Sequence, residues 1–220
     1  MNEIVYIGAD PGFRMDGVSF VSVLAIKYTD LTSMGKVRRN IVFTSKRGVI
    51  ALKMSHVEIK SDKIYCIGQV TSRYLNEIYG RTCIIPKREN SEGLAELLCE
   101  NEKEVQIIAS DHVSPKLVSK LRECGVEVLM TTAYELLENR DVDYSPIKES
   151  RSILVGSSRS FEIIMEKDSS LIKGKDLYAI GEPTRKTMER YGVEPKATFG
   201  TPNIRNILSK IKSEKDLSQE

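Results

Sequence analysis

Lys63–Leu75 (KIYCIGQVTSRYL) returns in altered form as Asp176–Met188 (DLYAIGEPTRKTM), 113 positions later. Each copy is an apolar, β-rich run that closes on Ile-Gly, at Ile67-Gly68 and Ile180-Gly181, with Thr71 or Thr184 three residues beyond the glycine. That order predicts a buried strand, a tight turn and the first turn of a helix. Downstream, Tyr79-Gly80 and Tyr191-Gly192 repeat at an offset of 112, and upstream Arg39–Arg47 (RNIVFTSKR) matches Arg151–Arg159 (RSILVGSSR), also at 112. One such match is commonplace among α/β proteins, but three collinear blocks indicate an internal duplication. A fainter fourth block pairs Gly17–Ala25 (GVSFVSVLA) with Gly125–Ala133 (GVEVLMTTA), which reads as two matching connectors.

The short apolar runs at residues 4–7, 41–43, 64–67, 105–108, 126–130, 153–155 and 177–180 read as buried parallel strands. Between them residues 70–78, 91–99, 115–123, 185–191 and 203–211 carry Leu, Ile and Met at helical spacing. Ser91 with Glu92, Ser114 before Pro115, and Thr201 before Pro202 are expected helix starts. Strands alternating with helices predict a doubly wound parallel sheet, here built twice. The first strand lacks a helix of its own and the chain ends on a helix. The simplest closure gives a discontinuous domain of residues 1–24 and 138–220, with residues 25–137 inserted as a second domain. Two connectors would join them, leaving a cleft with a hinge.

Composition narrows the functions open to such a chain. Its 220 residues carry 33 Lys plus Arg against 31 Asp plus Glu, a net charge of +2, so no broad field draws nucleic acid or a membrane. Cys66, Cys83, Cys99 and Cys124 form no C-x-x-C pair and read as reduced core thiols of a cytoplasmic protein. With two histidines, His56 and His112, a multi-histidine metal site is not expected, and both read as surface or helix-end residues. No segment reads as an export signal or a membrane span. Neither a G-x-G-x-x-G nor a G-x-x-x-x-G-K-[ST] loop is present, so nucleotide binding by the usual loops is unsupported.

Hydroxyls gather where strands give way to helices: Thr44, Ser45, Thr71, Ser72, Ser157, Ser158 and Thr184. Open α/β sheets bind ligands at these carboxyl ends, where free helix N–H groups favour anions. The same hydroxyls also serve simply as helix caps. Lys46, Arg47, Arg73, Arg159, Arg185 and Lys186 lie in or after the same turns and could pair with carboxylates or remain solvated surface charges. Gly68 and Gly181 allow a backbone to approach a ligand or merely turn tightly. Tyr134 ends the second connector. Its phenol, with an ordinary pKa of ~10, is protonated at neutral pH and can donate a proton to a departing hydroxyl, or can pack on the connector.

The run Ile41-Val42-Phe43-Thr44-Ser45-Lys46-Arg47-Gly48-Val49, then Ile67-Gly68-x-x-Thr71, Tyr134 and Ile180-Gly181-x-x-Thr184 resemble the uroporphyrinogen-III synthase family in order and spacing. Pro86 with the Ser91 helix, and Thr201-Pro202, look like that family's segments after each glycine turn. The resemblance implies two flavodoxin-like domains joined by a two-stranded linker, a monomer, and no metal or organic cofactor. It implies a lyase of tetrapyrrole biosynthesis that cyclises hydroxymethylbilane, inverts its last pyrrole and releases water. Carried over, Tyr134 is the proton donor. Thr44, Ser45, Lys46, Arg47, Gly68, Thr71, Ser72, Ser157, Ser158, Gly181 and Thr184 would hold the substrate's acetates and propionates. Two departures stand out: residues 9–16 offer a short loop with Arg14 where the family has a helix, and Gly156 replaces the hydroxyl residue that Thr44 supplies in the other copy. The competing readings are a non-catalytic two-lobed protein that binds tetrapyrroles or small anions, and a phosphosugar- or nucleotide-dependent enzyme using the helix N-termini.

Overall fold

The structure, a computed structural model, describes residues 4–37, 39–200 and 203–216. In chain order the elements are β1 (Ile4–Ala9), β2 (Val18–Tyr28), β3 (Lys36–Val37), β4 (Ile41–Phe43), α1 (Lys46–Met54), β5 (Glu58–Ile59), β6 (Ile64–Cys66), α2 (Gln69–Tyr79), α3 (Ser91–Asn101), β7 (Glu104–Ser110), α4 (Pro115–Glu123), β8 (Glu127–Glu138), α5 (Ser145–Glu149), β9 (Ser152–Val155), α6 (Ser158–Asp168), β10 (Asp176–Ala179), α7 (Glu182–Arg190), β11 (Ala197–Thr198) and α8 (Ile204–Asp216). Two compact units result, one of Met1–Ala25 with Leu137–Glu220 and an inserted one of Ile26–Leu136. The chain crosses between them inside β2 and again inside β8.

In the inserted unit the strands lie in the order β8, β7, β4, β6, all parallel, and Ile84 extends the sheet by a parallel bridge to Tyr65. Counted along the chain from β4, that order is 3-2-1-4-5. The strands alternate as pleating requires. Ile41 and Phe43 pack with Val49, Leu52 and Leu75 of α1 and α2, while Val42 and Ile107 pack with Leu94, Leu98, Leu117 and Leu121 of α3 and α4. Helices therefore cover both faces. A separate two-stranded sheet of β3 and β5 lies beside this layer.

The discontinuous unit repeats the plan. Its strands run β11, β10, β9, β1, β2, all parallel, again 3-2-1-4-5 when counted from β9 and carried through the N-terminal strand. Ile4, Tyr6 and Leu154 pack with Ile207, Leu208 and Ile211 of α8 on one face.

The α1 and α6 helices fall outside the stretches that the apolar spacing marks as helical, yet both begin at the third repeated block. Ser45 and Ser157 are their N-caps, accepting from the Arg47 and Ser160 amides at 3.1 Å each. Ser91 proves to be the first helical residue, with Asn90 as the cap before it. Thr201 and Pro202 lie outside the described residues. The short loop is real: residues 10–17 alone return the chain from β1 to its parallel neighbour β2, where the inserted unit uses α4 between β7 and β8. The loop replaces the helix by packing Phe13 and Met15 onto the core. Gly17, at φ 76°, makes the left-handed turn into β2.

The cysteines correct the expectation of free thiols. Cys66 pairs with Cys83 and Cys99 with Cys124, with Cα atoms 6.0 and 5.6 Å apart. Sequence spacing concealed this because the partners meet through tertiary structure. Cys83 precedes the Ile84 bridge beside β6, and Cys99 on α3 faces the end of α4. Both links lie in the inserted unit. Among the described residues no helix is long and apolar enough to cross a membrane.

Candidate functional site

In a 3-2-1-4-5 sheet the connections leave the first and fourth strands in opposite directions, which opens a crevice at their carboxyl ends. In the inserted unit these strands are β4 and β7, and a cavity of about 310 Å³ lies there. Thr44, just past β4, and Tyr134 on β8 line it, together with Ile67, Ser91, Ser110, His112, Val113, Ser114 and Leu117. Tyr134 is only 5% exposed, its ring packed against Tyr28 at 6.4 Å between centroids. The Arg47 guanidinium stands 6.0 Å from that ring. Burial raises the Tyr28 pKa above its ordinary value, with Arg47 partly opposing the rise. Lys46 opens α1, its Nζ 3.4 Å from the Tyr74 hydroxyl and 4.7 Å from the ring centre.

The α2 turn is arranged differently. Gly68 is its extended N-cap, and the Gln69 amide donates to the Glu89 carboxylate at 2.8 Å. A side chain on Gly68 would meet that carboxylate, which would have to swing aside. Thr71 is buried at the third helical position, and Ser72 is half-buried behind it.

In the discontinuous unit Ser157 caps α6 and its Oγ lies 2.6 Å from Ser160 Oγ. Ser158 Oγ donates to the Pro183 carbonyl at 3.0 Å, which ties the start of α6 to the start of α7. Gly181 is the extended N-cap of α7, and Thr184 is buried at its third position. Arg159 is engaged by Glu138, Glu162 and Glu166, and Arg185 by Glu182 and Glu189, all at the surface. Arg14 forks onto both oxygens of Asp10, at 3.0 and 3.3 Å, and stands over the Phe20 ring. A second cavity of about 240 Å³, lined by Phe20, Val21, Ser22, Asn139, Asp141, Val142, Asp143 and Pro146, contains no residue singled out from the sequence.

The structure thus brings Thr44 and Tyr134 onto one cavity and sets Ser157, Ser158, Gly181 and Thr184 around the paired α6 and α7 turns. Ser45 is occupied in capping. Ser91, Ser110, His112 and Ser114 are cavity residues that sequence reasoning passed over in this role. Ser110 and His112 stand at a strand's carboxyl end, so the rule that found Thr44 applied to them as well. They escaped it because that turn carries no glycine and lies outside the repeated blocks. Ser114 is the N-cap residue of α4 but makes no capping bond with its side chain, and it lines the cavity.

Fold and site together define a duplicated, parallel α/β protein with hydroxyl-lined strand ends and no nucleotide loop. The family model described as uroporphyrinogen-III synthase HemD matches residues 18–209, and the chain belongs to that family, lyases of porphyrin biosynthesis that cyclise hydroxymethylbilane. Among solved structures, the uroporphyrinogen-III synthetase of Helicobacter pylori 26695 is similar with a TM-score of 0.68 at 16% identity, over 97% of this chain and 99% of that one. A mutant uroporphyrinogen III synthase of Thermus thermophilus is similar with a TM-score of 0.61 at 18% identity, over 99% of both chains. At such identities the likeness is one of fold. No curated protein sequence matches the chain.

Proposed function

We propose that the chain closes hydroxymethylbilane into uroporphyrinogen III using the groups at its strand ends, without a cofactor. The observation that carries this reading is the cavity at the β4/β7 switch point, where Thr44, Ser91, Ser110, Ser114, His112 and Tyr134 converge. The two units are read as domains of one flavodoxin-like plan, residues 1–24 with 138–220 and residues 25–137, duplicated and joined through β2 and β8. What supports this is their shared three-layer build, although the 3-2-1-4-5 order differs from flavodoxin's 2-1-3-4-5.

The substrate's eight carboxylates and its reactive hydroxymethyl group define the task. Hydroxyls and first-turn amides at Thr44, Ser45, Gly68, Thr71, Ser72, Ser157, Ser158, Gly181 and Thr184, with Lys46 and Arg47, hold the carboxylates. Tyr134 gives its proton to the departing hydroxyl, the C–O bond breaks and water leaves. The exposed carbon is then attacked by the substituted carbon of the last pyrrole, forming a spiro intermediate. That intermediate opens and recloses with the ring inverted, and the proton released on rearomatisation restores the phenol. Because the bond breaks readily by itself, the chief contribution is orientation.

The test is incubation with freshly made hydroxymethylbilane and chromatographic separation of the isomers. Type III product is expected; type I alone, at the rate without protein, would overturn the reading.

A further inference from the structure

The register between β7 and β8 slips by one residue at the cavity. Ala109 faces Thr132, but Ser110 faces Tyr134, so Ala133 is the extra residue of a bulge. A regular strand would send Ala133 and Tyr134 to opposite faces, whereas both pack into the core formed with α1 and α2. On β7, Ile107 and Ala109 belong to the α3/α4 face and Ile108 to the α1/α2 face, so Ser110, two residues on from Ile108, shares the face of Tyr134. The Asp111 amide donates to the Tyr134 carbonyl at 3.3 Å, which holds the pair together at the strand ends. The other unit has the same bulge: Gly8 faces Ser22 and Ala9 faces Leu24, with Val23 passed over. There the equivalents of Ser110 and Tyr134 are Ala9 and Leu24, both buried and apolar. The bulge thus belongs to the duplicated plan, and the two hydroxyls to the inserted unit alone.

We propose that Ser110 is a second catalytic residue, donating a hydrogen bond to the same departing hydroxyl oxygen that Tyr134 protonates. Both residues line the cavity, and each is at least nine-tenths buried. Ser110 Oγ accepts the His112 amide at 3.2 Å, while its own proton has no acceptor among the described residues. The Tyr134 hydroxyl has no hydrogen-bond partner there either, although it is not sealed from solvent. Two buried donors side by side, bonded neither to each other nor to any other acceptor, call for an acceptor from outside the chain. The oxygen of a hydroxymethyl group has two lone pairs. One takes the Tyr134 proton as the C–O bond breaks and water leaves; the other accepts from Ser110, which keeps its proton throughout. Ser110 thereby holds the leaving group in line with its acid and stabilises it as it departs.

The inference rests on the reading of Tyr134 as the acid, and the experiment separates the two. Steady-state kcat and KM for type III product, together with the melting temperature, are measured on fresh hydroxymethylbilane for Ser110→Ala, Ser110→Thr, Tyr134→Phe and the Ser110→Ala/Tyr134→Phe double variant. Ser110→Ala is expected to lower kcat about tenfold, as for one lost hydrogen bond, with KM and the melting temperature little changed. Ser110→Thr keeps both the acceptor for the His112 amide and the donor, and should hold kcat within about threefold of the parent. Because both groups act on one atom, the double variant should depart from the product of the single effects by more than about threefold, in either direction. If Tyr134→Phe lowers kcat and Ser110→Ala does not, the Ser110 proposal alone is overturned. If Tyr134→Phe leaves kcat intact, the acid reading falls and takes the proposal with it. A raised KM at unchanged kcat would place Ser110 on a substrate carboxylate instead, and effects that simply multiply, or a loss that tracks a lowered melting temperature, would leave it only shaping the turn; each of these overturns the proposal.

Discussion

In the proposed mechanism Tyr134 is the acid by virtue of its placement. The ring is fixed by Tyr28 and Arg47, and its face of the strand opens on the cavity. Tyr134→Phe keeps the ring and removes the proton, so kcat should fall toward the lower end of general-acid effects, about 100-fold, with the melting temperature unchanged. An unaltered kcat on fresh hydroxymethylbilane would remove the acid role. At the opposite end of the sheet, Glu102 shows the same dependence on neighbours. It accepts from Tyr65, from Lys63 Nζ at 2.9 Å and from Asn40 Nδ2 at 2.6 Å, with its side chain 5% exposed. Burial acts most strongly on it and would raise its pKa, but the hydrogen bonds from Tyr65, Lys63 and Asn40 and the Lys63 charge outweigh burial and leave it lowered. A depressed folded pKa means stability that is complete above the unfolded carboxylate value and fades as pH falls through the folded one. Glu102→Gln should cost about 1–3 kcal/mol near neutrality. Thermal melts of both proteins down an acid series should show the gap closing; a gap that widens toward acid contradicts the assignment.

Elements inherit such constraints through their connections. The disulfides close loops of 17 and 25 residues: Cys66 precedes the Ile67 turn at the cavity, and Cys99–Cys124 joins the C-terminal ends of α3 and α4, the helices whose starts hold Ser91 and Ser114. Chain-entropy reasoning gives each about 3 kcal/mol of stability. Melting with and without a dithiol reductant, with alkylation mapped by mass spectrometry, should show a clear drop in the inserted unit; an unchanged melt with all four thiols alkylated would contradict it. The β1–β2 link illustrates the opposite economy. Most parallel connections need a helix, whereas residues 10–17 suffice here because Phe13 and Met15 cover the strands that α4 covers in the other unit. The missing helix was legible in the sequence. What took its place was not, since two aromatic or apolar residues in a short loop carry no periodicity.

At the scale of the whole molecule, one unit is contiguous and the other needs both ends of the chain. Residues 26–136 carry both disulfides and a core on each face of their sheet. Expressed alone, that fragment should melt cooperatively and keep its dichroism, while residues 137–220 without β1 and β2 should not; a fragment 26–136 without a cooperative transition would show that it is no independent domain. The sequence alone determined the duplication, the parallel α/β class, most strands, the capping serines and the place of Thr44 and Tyr134. All of these depend on local pattern, namely apolar runs, glycine turns and hydroxyls a fixed few residues apart. Only tertiary structure decided the cysteine pairs, the cavity roles of Ser110 and His112, the Glu89 carboxylate on α2 and the pairing of Ser110 with Tyr134. Each of these joins residues whose separation along the chain bears no relation to their distance in space, because the sheet, by setting strands from distant segments side by side, chooses the neighbours.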